Sequence, residues 1–152
     1  MLSPTTESNF DASPLVWTQD LAIGNEMIDE DHQAIFEIAN RLQAEIATRM
    51  SAEEQEEPQH SIVGEVLVEL IEHTGGHFMR EEALMQSISF PWYEEHKLQH
   101  KMLMNKVNSL HREFMRGRND VSLEVAEFVL KWMIPHIMHA DMELGRCIRA
   151  SK

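Results

Sequence analysis

The chain is 152 residues long, carries 26 acidic against 13 basic side chains for a net charge of −13, and has a single cysteine, Cys147. That length suits one domain with one core, the charge works against binding of nucleic acid or an anionic membrane, and one cysteine excludes an internal disulfide. No apolar run approaches the ~18 residues of a membrane span and the start lacks a basic-then-apolar signal pattern, so a cytoplasmic protein is expected.

Residues 1–16 (MLSPTTESNFDASPLV) are rich in Ser, Thr and Pro and are expected to form an extended N-terminal arm ahead of a domain over residues 17–152, with Leu15 and Trp17 packing on that domain. A first helix is expected from about Met27–Asp29 to Met50, with Ile28, Ile35, Ile38, Leu42 and Ile46 as its apolar stripe and His32 beside it. The acidic stretch from Ala52 to Glu57 is expected to link to a second helix, which Pro58 suits at its first turn and which runs to about Ser87. Pro91 opens a third helix that Gly117 ends, beside the basic run from Arg112 to Arg118 that favours a helix C-terminus. A fourth starts after Asp120 or Ser122 and carries Trp132 and His136. Short connections make neighbours antiparallel, so the expected fold is all-α, an up-down-up-down four-helix bundle.

Each expected helix carries part of one potential ligand set: His32 on the first, His77 and Glu81 on the second, His96 and His100 on the third, His136 and Asp141 on the fourth. Helical residues four apart differ by roughly 40° and roughly 6 Å, so the second and third pairs each face one way. His136 and Asp141 are five apart, roughly 140° around a regular helix, so a bend or π-bulge is expected between Trp132 and Asp141, where Pro135 already removes a hydrogen bond. Nine histidines throw up HxxxH or HxxxE pairs by chance; four clusters on four helices are a different matter. His60, His73, His111 and His139 are expected to be solvated or packed, with His73 at most supporting the ligands. Imidazole and carboxylate without thiolate suit iron, manganese or zinc and argue against copper(I) or an iron–sulfur cluster. The eleven methionines form no MxxM array and are expected to fill core. A ferritin-like di-iron enzyme would want a Glu-x-x-His on each of two helices, and only Glu57 to His60 fits.

The segments WTQDLAIGNEMIDEDH at 17–32, HFMREE at 77–82, FPWYEEHKLQH at 90–100 and WMIPHIMHADMELG at 132–145 resemble the bacterial hemerythrin family, non-haem di-iron oxygen-binding proteins, over about residues 15–149. The resemblance implies two iron ions with an oxo or hydroxo bridge. His96, His100 and His136 would bind one, His32 and His77 the other, and Glu81 and Asp141 would bridge them, leaving one position on the two-histidine iron for dioxygen. It also implies an apolar oxygen pocket walled by Ile35, Phe78, Trp132, Met133 and Ile137. The implied function is reversible dioxygen binding for storage or delivery by a monomer that is not an enzyme, with an oxygen-consuming enzyme as candidate recipient. The alternatives are an oxygen or redox sensor, or a di-iron oxidase, peroxidase or nitric-oxide-handling protein. Five neutral imidazoles against two carboxylates favour the ferrous state and so the carrier. Three features depart from the family: Met133 where leucine is usual, Pro135 before His136, and the pair Gly75 and Gly76 before His77, each glycine costing ~1 kcal/mol of helix stability against alanine.

Overall fold

The computed structural model describes residues 15–51, 60–117 and 121–150. After a 3₁₀ turn at Gln19–Leu21 come α1 (Glu26–Ser51), α2 (His60–Ser87), α3 (Tyr93–Met115) and α4, residues 121–150. There is no strand among the described residues. The expected arm, apart from Leu15 and Val16, lies outside them, as do the acidic linker, Pro58 and Asp120; the side chains of Ile46 and His60 are likewise not described. None of the helices described is long and apolar enough to cross a membrane.

Two apolar clusters fix the helix directions. At one end Ile23 just before α1 and Ile28 at its start meet Met85 from the end of α2, Phe90 before α3, and Leu144 and Ile148 from the end of α4. The larger cluster joins Leu42 late in α1, Val66 early in α2, Leu110 late in α3 and Val121 at the start of α4. Starts of odd helices therefore lie beside ends of even ones, which is the antiparallel bundle expected. The stripe residues Ile28, Ile35, Ile38 and Leu42 are buried.

Local chemistry sets the ends. α1 begins a little earlier than its apolar stripe, at Glu26, because the Asn25 side chain accepts the Ile28 N–H at 3.1 Å and caps the helix. Gly117 ends α3 at φ +91°, a left-handed conformation that favours glycine. Ahead of α1, Asn40 clamps the main chain of Leu15, accepting its N–H at 2.7 Å and donating to its carbonyl at 2.9 Å. Leu15 and Trp17 pack on the core as expected.

α4 is not a regular helix. It runs as Val121–Phe128, a π turn at Val129–Met133, a short α stretch at Ile134–His136, a second π turn at Ile137–Asp141, and Met142–Ala150. The proline accounts for the first. Its ring would strike the carbonyl four residues back and it has no N–H to give, and a wider turn relieves both problems.

Near its end α4 lies close against the chain entering α1, where a Cβ on Gly145 would sit 3.1 Å from both Cα and Cβ of Ile23. Ile23 is fully buried and its N–H is held by Asp29 Oδ1 at 2.8 Å, so it has little freedom to retreat. Gly145→Ala is expected to destabilise the protein by about 1–3 kcal/mol in denaturant unfolding; an unchanged midpoint would show that the two segments separate freely.

Candidate metal centre

The seven side chains singled out in the sequence meet at one level of the bundle, all buried. They form two overlapping groups, Glu81, His96, His100, His136 and Asp141 in one and His32, His77, Glu81 and Asp141 in the other, with the potential ligand atoms of each group within 4.8 Å of one another. The carboxylates divide their oxygens between the groups. Glu81 Oε1 faces His96 Nε2 at 2.7 Å and His100 Nε2 at 3.1 Å, while Oε2 faces His77 Nε2 at 3.1 Å and His32 Nε2 at 3.6 Å. Asp141 Oδ1 lies 3.0 Å from His96 Nε2 and 3.1 Å from His136 Nε2, while Oδ2 lies 2.9 Å from His32 Nε2.

Of these short distances, those from Glu81 Oε1 to His96 and His100 are hydrogen bonds; the others are not. Glu81 Oε2, both Asp141 oxygens and the Nε2 atoms of His32, His77 and His136 are buried without a hydrogen-bond partner. Their lone pairs point into shared space instead of at one another. Buried polar atoms left this way carry a penalty that cations between them would remove, so the donor set fits metal ions. Imidazole and carboxylate donors suit iron.

The second π turn makes this possible for α4. In an i→i+5 turn, residues five apart take the relation that residues four apart have in an α-helix, and Ile137–Asp141 is such a turn. It swings Asp141 under His136, as the five-residue spacing required.

Three ligand-set imidazoles are held from behind by side chains that sequence reasoning passed over. His77 Nδ1 lies 3.1 Å from Asp31 Oδ2, His100 Nδ1 2.9 Å from Glu82 Oε2, and His136 Nδ1 3.0 Å from Gln99 Oε1. Each partner directly neighbours a potential ligand in the chain, and that adjacency is the signal by which the sequence could have pointed to them. Asp31 is gripped in turn by Arg80 through two hydrogen bonds of 2.9 and 2.8 Å, and His73 Nε2 reaches its main-chain oxygen at 3.1 Å. Gly76 has a use in this: a Cβ there would sit 3.0 Å from Arg80 Nη1, so the missing side chain leaves room for the guanidinium. At Gly75 the nearest atom would be at 3.8 Å, ordinary contact, and nothing in the structure requires glycine.

Four of the five expected pocket residues, Ile35, Phe78, Met133 and Ile137, are buried in the large core cluster. Phe78 stacks on His100 with ring centroids 3.8 Å apart and stands 5.7 Å from His77 and 6.0 Å from His136. Trp132 is a correction. It is 53% exposed, because the π turn at Val129–Met133 changes the rotation per residue and leaves Val129 and Met133 inward with Lys131 and Trp132 outward.

Charge follows the packing. Burial opposes a proton charge on His32, but the Asp141 and Glu81 carboxylates outweigh it and push the imidazole up from 6.5 to about 10. The same balance lifts His96 to about 9, and at His77 burial is outweighed by the Asp31 and Glu81 carboxylates, which raise that imidazole too. Burial pushes Glu81 up, yet the imidazoles around it hold it well below the usual carboxylate range; Asp141, also pushed up by burial and by Glu81, is held low by His136 and His32. For Asp31, burial is outweighed by His77 and Arg80, which bring it down to about 2. A metal ion must therefore displace protons to enter.

Fold and centre together define a metal-binding four-helix bundle. A family model described as the hemerythrin HHE cation binding domain matches residues 23–148. A bacteriohemerythrin of Stenotrophomonas maltophilia is 32% identical over 136 residues, covering 90% of this chain and 82% of that protein. Bacteriohemerythrins of Pseudomonas aeruginosa (strain UCBPP-PA14) and Clostridium acetobutylicum are 30% and 29% identical, covering 90% and 84% of this chain and 83% and 96% of their own lengths. The chain belongs to the hemerythrin family.

Two measurements test the centre. His32 and His96 hold protons more tightly folded than unfolded, so their contribution to the chelator-treated protein is complete below about pH 6.5 and lost as pH rises through about 9 to 10. The melting temperature of that form should fall over this range relative to its metal-loaded counterpart; parallel curves would contradict the charge balance. Deleting Ala140 converts the five-residue step to four inside a π turn and should cost metal occupancy, read by elemental analysis, while helix content by circular dichroism is kept.

Proposed function

We propose that the protein binds dioxygen reversibly at a centre of two iron ions joined by an oxo or hydroxo bridge, for oxygen storage or delivery. The observation that carries this is the division of the two carboxylates: each offers one oxygen to a set containing three imidazoles and the other to a set containing two. His96, His100 and His136 would hold one iron, His32 and His77 the other, with Glu81 and Asp141 across both. The unequal sets leave the two-imidazole side with fewer protein donors and so with room for a small ligand.

Bound there, ferrous iron would supply the electrons on which reversible oxygen binding depends. The chain's own groups do the rest. Asp31, Glu82 and Gln99 fix the orientation of His77, His100 and His136, which keeps donor positions constant as charge at the centre changes. Ile35, Phe78, Met133 and Ile137, all buried in the core and with Phe78 against three of the imidazoles, would wall the centre and exclude water. Members of the hemerythrin family are in general oxygen-binding or oxygen-sensing non-haem iron proteins, not enzymes, and the five-to-two excess of imidazole supports the carrier. We take the protein to act as a cytoplasmic monomer, with dioxygen passed to an oxygen-consuming enzyme.

Absorption spectra of anaerobically iron-loaded protein test this reading. Air should produce a new visible band that vanishes under argon and returns on re-exposure, with close to two irons per chain. Glu81→Ala should lower iron content and thermal stability together, since the ions cross-link all four helices. One iron per chain, zinc from iron-rich cells, or continued oxygen consumption without reversal would overturn it.

A further inference from the structure

On the outside of the seam between α3 and α4 lies a groove of about 570 Å³ that includes Gln99, Met102, Trp132 and Pro135, with His136 also in its lining. A smaller groove of about 240 Å³ adjoins it, sharing Gln99, Ala140 and Glu143 and touching His96. Together they bring the surface to two imidazoles of the buried centre.

The irregular course of α4 lines this groove. Lys131 and Trp132 come from the first π turn, His139 and Ala140 from the second, and Pro135 lies between. Such turns often mark functional positions. Trp132 is 53% and Met102 55% exposed, a flat indole and a polarisable thioether set across an opening whose volume falls within the ~300–1,000 Å³ usual for small-molecule sites. The Gln99 amide, Lys131 ammonium and His139 imidazole are polar groups able to meet ligand oxygens. Lys131 lies 3.9 Å from Glu127 and Glu143 pairs with Arg146, so neither leaves an uncompensated charge in the groove, and the net charge of −13 disfavours an anion. That combination fits a neutral, planar aromatic ring with hydroxyl or carbonyl oxygens.

Gln99 gives such a ligand a connection inward. Its Oε1 lies 3.0 Å from His136 Nδ1, and the other nitrogen of that ring is 3.1 Å from Asp141 Oδ1. A ring resting on Gln99 is thus one imidazole from the centre. We propose that the groove docks an aromatic hydroquinone, which restores the ferrous centre after it has been oxidised; this rests on the di-iron reading above. The hydroquinone breaks its two O–H bonds, gives one electron to each of two ferric ions and becomes the quinone, and both protons leave to water at the groove's mouth.

The test uses the full chain, iron-loaded, with 2-methyl-1,4-naphthoquinone and its hydroquinone as probes. Calorimetry should show saturable binding of the quinone, weakened tenfold or more by Trp132→Ala and by Met102→Lys, both surface changes. In anaerobic stopped flow, reduction of the ferric protein should saturate with hydroquinone and slow by a similar factor in both variants at low concentration, while reduction by dithionite is unaltered. Absence of quinone binding, rates proportional to hydroquinone concentration throughout, or variants indistinguishable from the parent would overturn the proposal. So would a dimer that Trp132→Ala splits, which would make the groove an interface between copies. A chain lacking reducible iron would refute the di-iron reading, and calorimetry, which needs no electron transfer, would still decide whether the groove binds.

Discussion

Two fully buried carboxylates, Glu81 and Asp141, govern this structure. An isolated buried carboxylate is prohibitively unfavourable, and each of these is tolerable only because imidazoles from the other helices surround it. His32, His77, His96, His100 and His136 all lie within 3.6 Å of one or the other. Every helix must therefore be present, in register and antiparallel, before either charge is compensated. The apolar clusters above and below supply that register, and the centre in turn rewards it.

The supporting residues obey a rule of handedness. A residue beside a ligand is turned about 100° around its helix, too far to face the centre but well placed to reach the next helix. On α1 and α3, which run one way, the preceding residue does this: Asp31 reaches His77 and Gln99 reaches His136. On α2, which runs the other way, the following residue does it: Glu82 reaches His100. Reversing the chain and reversing the step turn the same way when viewed from one end, so the contacts pass α1 to α2, α2 to α3 and α3 to α4 in one sense. The fourth step would need a polar residue after a ligand on α4. Ile137 and Met142 stand there, and His32 Nδ1 is left without a hydrogen-bond partner.

The same physics decides what the sequence makes legible. The helices, their directions and the convergence of seven side chains are legible because 3.6-residue periodicity and ligand spacing are properties of each segment alone. The distortion between His136 and Asp141 is legible for the same reason, since a five-residue step cannot close in a regular helix. The first π turn at Val129–Met133 is signalled only by Pro135, which calls for a distortion ahead of it without fixing its form or span, and with it goes the placement of Trp132: a wall residue on an α-helix becomes a surface residue once the turn widens. Asn25 as the cap of α1 escapes a reading by apolar periodicity, because the stripe begins later than the helix does. Asp31, Glu82 and Gln99 are hidden differently. Their partners belong to neighbouring helices, and only the packed bundle shows which neighbour.

The supports also divide the centre chemically. Behind His77 and His100 stand carboxylates, and behind His136 stands the neutral amide of Gln99; a carboxylate partner makes an imidazole a stronger metal donor than an amide does. The amide side is also the more open to solvent, since Gln99 is exposed and borders both grooves of the α3–α4 seam, whereas Glu82 is only partly exposed and Asp31 is buried. A carboxylate in its place would strengthen His136 as a donor while drawing protons and cations toward the opening. A neutral group holds the ring in place without that pull, so the same residue can face the surface and still steady a buried donor.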